Sequence, residues 1–277
     1  MSAVAALQMN SGDDVAANLA AAARLVEAAA ASGAVLAALP ENFAFMGGHE
    51  AAKLAHAEPD GSGRIQDFLS DCARRHRIWI VAGTMPMAVP GDPERVHAAS
   101  LVYDDAGRRV ARYDKIHLFD VEVERDGRME RYHESRHIAR GHWNPVVVDT
   151  PAGRVGLSVC YDLRFPELFR SLVAQGAELL CVPAAFTART GEAHWDVLQR
   201  ARAVENLCYV IAPAQYGTHP GGRSTWGHSM VVDPWGTVLA CEASGESAVI
   251  ARVDRQRQAQ LRASFPALSH RRASASS

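Results

Sequence analysis

Short apolar runs recur along this chain between stretches of helical spacing, an order that restricts it to an alternating α/β architecture. Residues 4–9 read as a strand, and Asp13 offers a helix cap before Val15, Leu19, Ala22 and Val26, which recur at helical spacing up to a stop at Gly33. Residues 35–39 are again apolar and end on Pro40 and Glu41. A helix over about 65–76 leads into a buried strand at 78–85. Residues 99–104 and 109–113 flank a turn at Ala106 and Gly107 and predict a hairpin. The second half repeats the alternation: strands at 146–150, 155–160, 178–183 and 209–213, with helices over 166–175 and 193–206. A hairpin at 228–233 and 237–240 and a strand at 248–253 close it. Between the halves, residues 119–143 are charged and rich in histidine, without a sustained apolar period, and predict a long loop of functional kind.

Nearly half of the 277 residues are apolar and 22% are charged, enough to bury a large core and to argue against disorder. With a formal charge of -2 and no basic block, the sequence lacks the footprint of a nucleic-acid or anionic-membrane binder. A small-molecule partner is expected. The opening residues show no basic segment followed by a long apolar one, and the expected compartment is the cytoplasm. Five widely spaced cysteines without a CxxC pair make neither a disulfide framework nor a zinc ribbon, so each is by default a small buried hydrophobe.

Cys160 departs from that default. It ends the run VGLSVC and precedes YDLRFPELFR, which turns into a helix. A thiol there should meet free amide donors and the positive end of a helix dipole, surroundings that favour thiolate and an oxyanion site. Cys181 and Cys208 lie within or beside apolar runs instead. The twelve histidines offer no obvious base, whereas Glu41 and Lys115 each stand at the end of a strand. Each alone reads as an ordinary surface charge.

Together, LPENFAF with Glu41, YDKIHLF with Lys115 and VGLSVCYDLRFPELF with Cys160 resemble the three signature blocks of the nitrilase superfamily, in the same order along residues 4 to about 272. The resemblance implies a four-layer α-β-β-α sandwich and a single carbon-nitrogen hydrolase domain over 1–272, and the low-complexity residues 273–277 read as a flexible tail. It implies a catalytic cysteine, Cys160, with Glu41 moving protons and Lys115 steadying the oxyanion. It implies a second glutamate as well, matched by Glu134 in HESRH, although Glu122, Glu124 and Glu130 lie in the same loop. The expected reaction is hydrolysis of a small-molecule amide through a thioester, with no metal and no organic cofactor. Residues 190–210 and 227–240 resemble the Nit-type amidases, which act on deaminated glutathione or, as ω-amidases, on 2-oxoglutaramate; the first is the expected substrate. Tyr161 supplies a backbone N–H to the oxyanion in this reading, Phe186, Thr190 and His194 are candidate pocket residues, and Arg164 or Arg189 could meet a substrate carboxylate. The glycine- and proline-rich segment 215–225, with Arg223, is the expected wall for a larger leaving group. A homodimer or larger homo-oligomer is also implied.

Two rival readings remain. His133, Glu134 and His137 spell the H-E-x-x-H of zinc peptidases, but Gly141 and His142 miss the extended spacing. A non-catalytic scaffold is the other, against which the presence of all three reactive groups weighs.

Overall fold

Every residue of the first strand is buried or nearly so, because the strand has helices on one face and a second sheet on the other. In the computed structural model, which describes residues 1–125 and 128–272, Val4 and Ala6 of the strand Ser2–Gln8 pack in one cluster while Ala3, Ala5 and Leu7 pack in another. The period of two along a strand sends alternate side chains to opposite faces. The helices Val15–Ala31 and Arg64–His76 cover the second face with Leu19, Ala22, Val26, Ile65 and Leu69. Burying each such leucine contributes about 1.5–3 kcal/mol, and the many alanines let helix and sheet approach closely. The cap of the first helix is Asp14, one residue beyond the expected Asp13, and its carboxylate accepts from the N–H groups of Ala16 and Ala17.

Among the described residues the first sheet has seven strands, in the order Ser247–Val253, Ser2–Gln8, Ala34–Ala38, Trp79–Val81, Asp92–Tyr103, Met85–Val89, with Arg109–Asp114 also paired to Asp92–Tyr103. The second has six: Val238–Glu242, Ser229–Val232, Tyr209–Ala212, Leu179–Cys181, Gly153–Leu157 and Val147–Thr150. In each sheet three adjacent strands run parallel; the ends of Ala34–Ala38 and Gly153–Leu157 lead to Glu41 and Cys160, and the antiparallel Arg109–Asp114 leads to Lys115. Val4, Leu36 and Val81 of the first sheet join Val155, Leu180 and Val210 of the second in one core. The helices Pro166–Ala174 and Ala188–Asn206 close the outer side through Leu168, Phe169, Leu172 and Trp195. This is the expected four-layer α-β-β-α sandwich.

Several local expectations change, and the strand expected at 78–85 is two, Trp79–Val81 and Met85–Val89, broken at Gly83. The segment 119–143 is not a plain loop: Asp120–Arg125 and Arg128–His133 pair as an antiparallel hairpin, followed by a 3-10 turn at Glu134–Arg136. Its strands alternate valine or tyrosine with charge, and an ion pair between Arg131 and Glu122 at 2.9 Å braces them. The segment 215–225 holds a second small hairpin, Tyr216–Thr218 with Ser224–Trp226. A polar helix, Arg255–Ser264, follows the last strand. The tail 273–277, expected to be flexible, lies outside the described residues. Among the described residues no helix is long and apolar enough to cross a membrane.

Candidate active site

Glu41, Lys115 and Cys160 each follow the end of a strand, and the two sheets bring those ends together. The chain leaves Ala34–Ala38 through Leu39 and Pro40, where Gly83, at φ +49°, lies so close that a Cβ on it would collide with the Pro40 carbonyl oxygen. Glu41 is fixed from both sides: its carbonyl accepts from Gln215 Nε2 at 3.0 Å, and the next N–H, of Asn42, donates to Thr84 Oγ1 at 2.8 Å. Lys115 follows Arg109–Asp114, and its N–H donates to the Ala98 carbonyl at 3.1 Å.

The Lys115 ammonium is the centre of the cluster. Nζ donates to Glu41 Oε1 at 2.8 Å and to both oxygens of Glu134, at 2.8 and 2.9 Å. Glu134 is held in turn by the Phe119 N–H, which donates to its Oε2 at 2.6 Å. Burial disfavours the charge on Lys115, but the carboxylates of Glu134 and Glu41 outweigh it and keep the ammonium protonated far above its ordinary range. Burial likewise opposes ionisation of Glu41, and the Lys115 charge and hydrogen bond hold its carboxyl below the usual value.

Cys160 opens the 3-10 turn Cys160–Arg164 with a positive φ of +47°, a conformation that side chains other than glycine rarely adopt. Its N–H donates to the Pro183 carbonyl at 2.8 Å. Asp162 anchors the turn: fully buried, it accepts from the Val159 N–H and the Tyr113 hydroxyl on one oxygen and contacts the His117 N–H and ring Nδ1 with the other.

The expectation that this position favours thiolate is corrected. Burial raises the thiol well above its ordinary range and the Glu41 carboxylate raises it further, against the opposing pull of Lys115. The α-helix begins only at Pro166, so its dipole does not start at the sulfur. The resting group is a thiol beside a carboxylate base.

The cluster opens into a cavity of about 650 Å3, mouth included. Tyr161, Arg164, Phe186 and Thr190 line it, as expected. Tyr161 packs edge-on to Phe119 and Phe165, Phe186 to Trp195, and Arg164 reaches over the Tyr161 and Phe186 rings. His194 and Arg189 are exposed and do not line this cavity: His194 contacts Arg164 Nη2 at 3.2 Å through Nδ1, and Arg189 stands on adjoining grooves. His194, expected in the pocket, thus stands outside this cavity, and Arg189, expected to meet a substrate carboxylate, stands at the outer mouth of an adjoining groove.

Sequence reasoning passed over Glu50, Lys53, Tyr132 and Asp162. Lys53 is 7% exposed and pairs with Glu50 at 2.6 Å, while Arg223 reaches the same carboxylate at 3.2 Å. The Lys53 charge foremost, then Arg223, brings Glu50 down to about 2 against the cost of burial. The i,i+3 spacing of Glu50 and Lys53 was the one available signal.

The zinc-peptidase reading fails on geometry. His133 ends a strand and His137 follows a 3-10 turn, so the two do not share an α-helical face, and Glu134 is committed to Lys115.

A family model for carbon-nitrogen hydrolases matches residues 3–263. The chain belongs to this family, and it is an amidase of the nitrilase superfamily. It is 45% identical over 268 residues to a deaminated glutathione amidase of Synechocystis sp., spanning 96% of this chain and 97% of that protein. Its identity with the human deaminated glutathione amidase is 42%, over 97% of this chain and 82% of the relative. The crystal structure of the Caenorhabditis elegans NitFhit protein superposes with a TM-score of 0.91 at 39% identity, covering 98% of this chain and 65% of that one.

Proposed function

We propose that this amidase hydrolyses deaminated glutathione to 2-oxoglutarate and cysteinylglycine, with Cys160 as nucleophile. The observation that carries the chemistry is the single Lys115 ammonium held between Glu41 and Glu134 beside the thiol. Glu41 takes the thiol proton as sulfur attacks the amide carbonyl, and the resulting oxyanion is steadied by Lys115 and the Tyr161 N–H. When the C–N bond breaks, Glu41 returns that proton to the departing nitrogen, leaving a thioester on Cys160. Water, deprotonated by Glu41, then attacks the thioester carbonyl; as the C–S bond breaks the acid leaves, and Glu41 passes the water proton to the sulfur to restore the thiol. Glu134 fixes the ammonium through both oxygens of its one carboxylate. These residues need no metal or organic group for any step.

The charge of the cavity supports the substrate. Five cations line it (Lys53, Lys115, Arg131, Arg164 and Arg223) against three carboxylates (Glu41, Glu50 and Glu134); with Arg131 paired to Glu122, one positive charge is in excess. Deaminated glutathione carries two carboxylates, one at each end, and the names of the two curated relatives point the same way. The test is to compare kcat/KM for deaminated glutathione and 2-oxoglutaramate, following 2-oxoglutarate release. A clear preference for 2-oxoglutaramate overturns the assignment in favour of an ω-amidase.

The cytoplasm, whose reducing poise keeps thiols free, suits a chain whose five cysteines are all unpaired. A homodimer or larger homo-oligomer is supported by exposed apolar side chains, with Trp235 and Phe265, 61% and 50% exposed, packed edge-to-face. Light scattering that finds a monomer at micromolar concentration sinks that part.

A further inference from the structure

An amide has two sides, and the catalytic cavity has two continuations. One runs past Tyr161 and Arg164 toward His194. The other passes Glu50, Tyr132 and Arg223, is walled by the glycine turns at Gly48 and Gly221, and reaches the surface at Arg189. We propose that this second groove is the subsite for the departing amine, and that Arg223 selects amines bearing a carboxylate of their own, such as a peptide with a free C-terminus. The inference rests on the amide-hydrolase reading with deaminated glutathione given above.

Arg223 is built for such a contact. Its Nη1 donates to Glu50 and its Nη2 to the Ala185 carbonyl, both at 3.2 Å. Its Nε is shielded from solvent and has no partner among the described residues, so a donor is left over. Lys53 shares the Glu50 carboxylate at 2.6 Å, which leaves two cations on one anion and one positive charge unmatched. The guanidinium is oriented by the Tyr132 ring, 5.7 Å from its carbon, and a planar fork held in this way suits a carboxylate.

Its place also fits the amine side. The Ala185 N–H faces the Cys160 sulfur while its carbonyl takes Arg223, so a single residue lies between the selector and the nucleophile. Beyond it the wall is backbone: the turns at Gly48 and Gly221 pack so closely that a Cβ on Gly221 would run into Gly48, so no side chain projects from them into the groove. Arg189, exposed at the outer end, adds a second cation for the terminal carboxylate. Ammonia, the leaving group of 2-oxoglutaramate, would use none of this, whereas contacts to a remote dipeptide raise the specificity constant for the larger amide.

The experiment compares the unaltered protein with Arg223→Gln, Arg223→Lys and Arg189→Gln, each checked for folding by circular dichroism. In Arg223→Gln the ratio of kcat/KM for deaminated glutathione to that for 2-oxoglutaramate should fall by about tenfold or more, chiefly through the KM of the former. Arg223→Lys, which keeps charge but loses the fork, should fall between; Arg189→Gln should shift the ratio in the same direction by less. Deaminated glutathione capped as its C-terminal carboxamide should be a poor substrate of the unaltered protein and lose little more in Arg223→Gln. Equal losses on both amides would show Arg223 to be a structural strut for Glu50 and overturn the subsite alone. If the unaltered protein turns over 2-oxoglutaramate but not deaminated glutathione, the substrate reading itself fails and the subsite falls with it. Should Arg223→Gln not fold, the Arg189→Gln and carboxamide arms decide the question, and an unchanged ratio together with full activity on the capped amide overturns it.

Discussion

The carboxylate of Asp162 accepts the backbone N–H of Val159 at 2.8 Å, and so holds the residue immediately before the nucleophile. The same carboxylate is bound by Tyr113 and His117, the residues two places before and two places after Lys115. One buried anion therefore fixes the distance between the strand end that presents the ammonium and the turn that presents the thiol. Asp162→Asn replaces an acceptor with a donor facing donors, and each charged hydrogen bond lost is worth about 1.5–3 kcal/mol. The expected result is a lower melting temperature together with a kcat reduced by about tenfold or more at similar KM. Tyr113→Phe, which removes one bond, should show a smaller version of both. Unchanged kcat in folded Asp162→Asn would remove Asp162 from the positioning of the site.

Cys160→Ala should abolish turnover and Cys181→Ala should retain most of it. Cys181 is fully buried in the strand Leu179–Cys181, where burial alone drives its thiol above the ordinary range, and among the described residues no base stands beside it. Substantial activity in purified Cys160→Ala ends the nucleophile assignment. A covalent acyl adduct on Cys160, sought by mass spectrometry after rapid quench, is the direct check of the thioester.

Lys115→Ala and Glu41→Gln should each lower kcat by orders of magnitude, the first by removing oxyanion stabilisation and the second by removing the proton carrier. They should differ in stability. Without Lys115 two carboxylates, Glu41 and Glu134, are left in a buried site, and breaking such a pair costs about 3–5 kcal/mol. Glu41→Gln leaves Lys115 its Glu134 partner and should unfold closer to the unaltered protein. Lys115→Arg should not rescue activity, because the larger planar guanidinium cannot occupy the position of an ammonium shared by two carboxylates. A melting temperature lower for Glu41→Gln than for Lys115→Ala would contradict the ion-pair account.

The acid side of the pH profile should be set by Glu41. Its carboxyl is held below the ordinary 4.5 by Lys115, so the base stays ionised, and kcat/KM should begin to fall only below that pH. Stability has the same sign. Glu50, at about 2 in the folded state against 4.5 unfolded, contributes stability that is fully present above pH 4.5 and lost as the pH falls toward about 2. Melting temperatures from pH 7 downward should therefore hold, then drop through that window, and Glu50→Gln should flatten the drop. A decline of kcat/KM centred above pH 6, in a protein still folded, would place the base elsewhere.

The three reactive residues could be located in the sequence because their blocks resemble those of a known family in order and context; Glu41 and Cys160 also follow parallel strands, whereas Lys115 follows a partly exposed antiparallel one. The buried strands and the helix Val15–Ala31 were legible because their periods are those of their packing. What remained hidden was built without apolar periodicity. Glu50 and Lys53 sit in a short 3-10 segment, Glu50–His56, with no pattern that distinguishes a buried ion pair from a solvated one. The hairpin Asp120–Arg125 with Arg128–His133 alternates valine with glutamate and looks like a charged loop, although the Asp126-Gly127 pair between its strands is a strong hairpin signal in its own right. The helix Arg255–Ser264 is polar nearly all round, with Gln258 as its one buried residue, so its period could not be read from apolar positions. Asp162 stood within a recognised block, yet its four contacts come from residues three or more places away in sequence, up to Tyr113 at forty-nine.

The left-handed backbone of Cys160 sets the interests of folding and of chemistry against each other at a single position. Glycine would relieve the strain there, and it would also remove a buried thiol next to an anion. A selection for thermal resilience with no demand for turnover should thus drift toward loss of the sulfur, and activity is what keeps the strained residue in place. The protein is tuned below the resilience its own scaffold could reach.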